Sequence, residues 1–73
     1  HQAQFALRAG LEVYRTRQSM DSNEREIRRQ EQRLQDKNTT ESQRREARDR
    51  IRYLDFEQSR LRRTLQDQER LAP

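Results

Sequence analysis

The chain has 73 residues, 41% of them charged and only 27% hydrophobic, with one Gly, one Pro and no Cys. So short and polar a chain cannot bury an ordinary globular core, which leaves disorder or long helices with a narrow apolar stripe. Its wealth of Arg, Glu, Gln and Leu, with almost no helix breakers, selects helix.

Charge excludes a second class. The net charge is +4, but residues 1–37 hold eight bases and six acids and residues 38–73 nine bases and seven acids, so there is no basic arm. Opposite signs at i, i+4, in Asp21/Arg25, Glu24/Arg28, Glu41/Arg45 and Glu46/Arg50, read as a solvated helix face. An arginine-rich nucleic-acid or anionic-surface binder is the alternative, and the even charge pattern speaks against nucleic acid as a partner.

The richest apolar segment comes first, with Phe5, Ala6, Leu7, Ala9, Leu11, Val13 and Tyr14. Two stripes share it. Ala6, Ala9 and Val13 lead into Met20, Ile27 and Leu34 every seven residues, with Thr16, Asn23 and Gln30 as companions, and this makes a coiled-coil seam with polar members. Leu7, Leu11 and Tyr14 lie on another face and call for a partner of their own. Gly10, costly inside a helix, suggests close approach by another backbone. The unbroken heptad phase through Met20–Glu24 predicts one helix over about residues 3–35.

Residues 36–40 collect turn formers, and Thr40-Glu41-Ser42-Gln43 fits a capping box that opens a second helix over about 41–71. That helix carries Ala47, Ile51, Leu54, Gln58, Leu61, Leu65, Gln68 and Ala72 in alternating steps of four and three. Two long helices with a short connection become antiparallel neighbours. The predicted fold is therefore all-α, a single antiparallel two-helix coiled-coil hairpin. Its seam is Val13, Met20, Ile27 and Leu34 against Ala47, Ile51, Leu54, Leu61 and Leu65.

Flanking charges suggest a register. A turn centred near Lys37 sets Ile27 opposite Ala47, Met20 opposite Leu54, Thr16 opposite Gln58 and Val13 opposite Leu61. The flanking pairs Glu26/Arg50, Glu24/Arg48 and Arg17/Asp55 are then attractive. Sliding by one heptad, so that Ile27 faces Leu54 and Asn23 faces Gln58, aligns Glu24 with Asp55, Glu26 with Glu57 and Arg17 with Arg62. These repulsions favour the first register. In either, Phe5, Leu7, Leu11 and Tyr14 at one end and Tyr53 and Phe56 on the second helix stay outside the seam, as candidate interface residues.

No catalytic constellation is legible. His1 is the only histidine, Gly10 the only glycine, and the carboxylates sit beside arginines on exposed helix faces, so no metal, cofactor or acid–base site is expected. The chain reads as a non-enzyme. No stretch is apolar and long enough to span a bilayer. Because it starts at His1 without Met and ends at Pro73, it reads as a fragment, and membrane association would come only through an N-terminal anchor outside it.

The segment Phe5-Ala6-Leu7-Arg8-Ala9-Gly10-Leu11-Glu12-Val13-Tyr14 precedes a charged helix, a Thr-x-x-Gln cap and a second helix with Ile51, Leu54, Leu61 and Leu65. In this order it resembles the C-terminal end of a family of uncharacterised bacterial envelope proteins, known only as a domain of unknown function and including many predicted lipoproteins. Leu7 stands where that family's aromatic is expected, and its upstream cysteine-bearing repeats have no counterpart here. The resemblance implies a periplasmic or outer-membrane-associated location and no catalytic residue. The expected function is a structural or protein-interaction module with a protein partner or a second copy of itself; an oligomerisation coiled coil is the further alternative.

Overall fold

A computed structural model describes residues 2–71, apart from the side chains of Gln2, Phe5 and Ala6. Two helices, α1 (Gln2–Gln35) and α2 (Glu41–Leu71), pack against each other as an antiparallel hairpin, with no strand among the described residues. The rod measures 56 × 15 × 12 Å. Helix α1 runs without a break through Gly10 and through Met20–Glu24. Gly10 marks no close approach: it is exposed, and a Cβ there would meet nothing within 4 Å. Nothing in the hairpin needs a glycine at that position.

The turn is closed by side chains. Thr40 Oγ1 accepts from the Gln43 N–H at 3.1 Å, and Gln43 Oε1 accepts from the Thr40 N–H at 2.9 Å. This reciprocal pair is the capping box at the start of α2. At the end of α1 no residue adopts a positive φ among those described, so the last carbonyls need other donors. The Thr39 hydroxyl donates to the Arg33 carbonyl at 2.6 Å, while the Arg44 guanidinium reaches back from α2 to the Leu34 and Asp36 carbonyls at 2.7 and 3.4 Å. Arg44 also sets a positive charge at the negative end of the α1 dipole. Asp36 Oδ1 accepts from the Asn38 N–H at 2.9 Å and fixes the turn itself.

The seam stripe of each helix faces inward. Ala9, Ala47 and Leu54 are buried at 8%, 0% and 2% exposure, and Thr16 at 8%. Val13, Met20, Asn23, Ile27, Gln30 and Leu34 of α1 are half-buried, as are Ile51, Gln58, Leu61, Leu65 and Gln68 of α2. Ala6 by its side chain and Ala72 altogether lie outside the described residues. Because the seam is narrow, no large side chain among the described residues is fully enclosed, and each layer contributes less than a globular core residue would.

The register is not the one the flanking charges favour. Asn23 Nδ2 donates to Gln58 Oε1 at 3.3 Å, Gln58 Nε2 to the Met20 carbonyl at 2.9 Å, and Thr16 Oγ1 to Gln68 Oε1 at 2.7 Å. Asn23 therefore faces Gln58, which puts Ile27 level with Leu54 and Leu34 level with Ala47. Of the three flanking attractions expected, only Glu26–Arg50 remains, at 3.9 Å; Arg17 pairs with Glu69 at 3.2 Å, Glu24 with Arg28 at 3.4 Å and Arg48 with Glu41 at 3.0 Å. Exposed ion pairs contribute only ~0.2–1 kcal/mol each and can be replaced by a neighbour on the same helix. A buried amide without a partner costs ~1–3 kcal/mol. In the expected register Asn23 would have faced Ile51, the place Gln30 takes here with its Oε1 unpartnered; what the observed alignment gains is the set of Asn23–Gln58, Gln58–Met20 and Thr16–Gln68 hydrogen bonds across the seam.

Candidate protein-interaction site

At 100° per residue, Leu7, Leu11 and Tyr14 point away from the Ala9–Val13–Thr16 seam, and Phe56 points away from the Ile51–Leu54–Gln58 seam. Their exposure agrees: Leu7 75%, Leu11 46%, Tyr14 57%, Tyr53 53% and Phe56 69%. The structure brings Leu7, Leu11 and Tyr14 together on the back of α1, and Tyr53 and Phe56 together on the back of α2. It does not bring the two groups to each other. They face opposite ways and lie about 20 Å apart along the rod at 1.5 Å per residue. The side chain of Phe5 lies outside the described residues.

The two groups differ in their neighbours. Around the α1 group the polar contact is local, with Gln18 Nε2 donating to the Tyr14 hydroxyl at 2.7 Å. On α2 the aromatics stand among arginines. The Arg50 guanidinium lies 5.3 Å from the centre of the Tyr53 ring, within cation–π range. Phe56, Ser59, Arg60, Arg63, Thr64 and Asp67 line a groove of about 330 Å³.

Charges are mostly satisfied within a helix and at a different spacing from the expected one. Of the four i, i+4 pairs anticipated, only Glu24–Arg28 forms; the short-range pairs are otherwise i, i+3, in Glu26–Arg29, Asp49–Arg52, Glu57–Arg60 and Asp67–Arg70. Two of these flank the seam. The hydrogen bond from Arg29, helped by one from Gln30, holds the Glu26 carboxyl below the usual carboxylate range, and that from Arg60 does the same for Glu57, which in turn raises Arg60. Both carboxylates stay ionised, each with an arginine of its own helix bound to it, and that counter-charge offsets the Glu26/Glu57 repulsion expected of this register.

Residues that the sequence did not single out are Arg44, together with Leu71, 68% exposed at the open end; Glu26 and Glu57 entered only as flanking charges, without their Arg29 and Arg60 partners. Arg44 follows the capping box directly, but its reach to α1 depends on the turn's geometry. Among the described residues no group of acidic, His or Cys side chains is arranged to hold a metal, and no helix is long and apolar enough to cross a membrane. No protein-family model, curated protein or solved structure matches the chain.

Proposed function

We propose that this hairpin is a non-catalytic structural and protein-interaction module, a capped rod that holds apolar side chains outward for a protein partner or a second copy of itself. The observation that carries the reading is the pair of exposed groups, Leu7/Leu11/Tyr14 and Tyr53/Phe56, fixed on opposite backs of a rod whose seam they do not serve. Aromatic residues and arginines are what protein interfaces enrich, and lysine is what they deplete; 16 of the 17 basic residues here are Arg, Lys37 being the exception. A cell-envelope location is supported by the family resemblance of the Phe5–Tyr14 segment and its hairpin, and by that alone.

Sedimentation equilibrium with parallel circular dichroism tests whether the partner is a second copy. Self-association that Leu7→Ser/Leu11→Ser weakens, with helicity retained, supports this. Photo-crosslinkers at positions 7, 14, 53 and 56, with controls at Gln32 and Gln66, test the wider reading in cells. Crosslinks spread evenly over all six positions, together with a monomer at every concentration, would remove it.

A further inference from the structure

The outermost stripe of α2, directly behind its seam, reads Arg45, Asp49, Arg52, Phe56, Ser59, Arg63, Asp67 and Arg70. All of it is exposed, and α1 packs on the other side, so no charge of α1 faces it. Its two acids are already engaged, Asp49 with Arg52 at 3.7 Å and Asp67 with Arg70 at 3.5 Å. Arg45 and Arg63 have no carboxylate within 4.0 Å among the described residues, and they bracket a Phe56 that is 69% exposed beside its groove. An unpaired planar guanidinium on each side of an exposed aromatic is a recognition pattern for carboxylates carried on an apolar scaffold.

We propose that this face docks an acidic amphipathic helix of a protein partner, with Phe56 entering its apolar stripe and Arg45 and Arg63 pairing with its carboxylates. The spacing fits a helix. Arg45 and Arg52, and then Phe56, Arg63 and Arg70, recur at seven residues along about 37 Å of straight rod, the repeat that a second helix packed at a shallow angle presents. The partner's charge follows from the unpaired arginines. Asp49 and Asp67 interrupt the stripe, which a helix of mixed polarity accommodates and a polyphosphate backbone does not. This rests on the interaction-module reading and names the partner class for one of its two faces.

The probe is a fluorescein-labelled synthetic helix of about four heptads, with Leu at a and d and Glu at e and g, titrated with the 73-residue chain and followed by anisotropy. Saturable binding is expected, weakened about tenfold or more by Phe56→Ala and by Arg45→Gln/Arg63→Gln. Leu7→Ser/Leu11→Ser on the opposite face should leave it intact. Circular dichroism of each variant checks that the hairpin persists. Equal binding of a scrambled peptide of the same composition, of single-stranded DNA or of anionic phosphatidylglycerol vesicles would overturn the proposal. So would a Phe56→Ala chain that binds as well as the parent, which is the result if the probe invades the seam instead. Loss of this binding while crosslinks from positions 7 and 14 persist would sink the acidic-helix proposal and leave the interaction module standing.

Discussion

Near the turn, Ile27, Leu34, Ala47 and Leu54 are packed beside a connection in which Thr39, Thr40, Gln43 and Arg44 all bind main-chain groups. Toward the open end the seam holds Ala9, Val13 and the Thr16–Gln68 pair, with Gly10 and a row of exposed apolar residues behind it. The first half combines apolar layers with a closed loop, whose short connection adds little closure entropy. The second half has smaller side chains on α1, facing Leu61, Leu65 and Gln68 of α2, and a helix with one weak residue. Local opening should therefore begin at the Leu7 to Tyr14 end, where the exposed apolar group sits, and reach the turn last.

The largest test of that contrast is Leu54→Ala against Val13→Ala. Leu54 is 2% exposed, and its truncation should cost ~2–4 kcal/mol of unfolding free energy in urea melts. Val13 is only half-buried, and its truncation should cost ~1 kcal/mol. Equal losses, or amide hydrogen exchange as slow near Val13 as near Leu54, would abolish the difference between the two halves.

A second pair of variants separates two polar layers that look alike in sequence. Asn23 has Gln58 as partner, whereas the buried Oε1 of Gln30 has none, because Ile51 lies at its level. Gln30→Leu should therefore stabilise by ~1 kcal/mol and Asn23→Leu, which strands Gln58 Oε1, should destabilise by a similar amount. The two stripes themselves were legible, since a seven-residue repeat of apolar and small polar residues survives any choice of alignment. Register was not, because it depends on which amide meets which, and flanking charges were given a weight that exposed ion pairs do not carry. Spin labels at exposed positions such as Ser19 and Gln66 would read the alignment directly. A slip of one heptad moves them by about 10 Å.

Capping gives the next effect. The Thr40–Gln43 box is readable from sequence because its bonds are local, and Thr40→Ala should cost ~1 kcal/mol. The Arg44 clip was not readable, since it joins residues of two helices across a turn. Arg44→Gln should add a loss confined to the turn, visible as faster exchange of the α1 C-terminal amides. At the other end Gly10→Ala should do the reverse. With no neighbour within 4 Å of the added Cβ, it should stabilise the hairpin by ~0.5–1 kcal/mol and slow exchange mainly in the first turns of α1. A loss of stability would show that the added methyl meets a neighbour, against the open space around Gly10.

The smallest effect is set by acid. Glu26 and Glu57 are held below the usual carboxylate range in the folded hairpin, chiefly by hydrogen bonds from Arg29 and Arg60. A depressed folded-state pKa means that the unfolded chain takes up these protons first, so their contribution is complete above the unfolded value of about 4.3 and disappears as pH falls through the folded one. The thermal midpoint should hold from neutral pH to about 5 and then decline, and Glu26→Gln/Glu57→Gln should flatten that decline while lowering the neutral-pH midpoint slightly. If the double variant declines as steeply as the parent, the acid response belongs to carboxylates elsewhere on the rod, and the polar layers hold the alignment without help from Arg29 and Arg60.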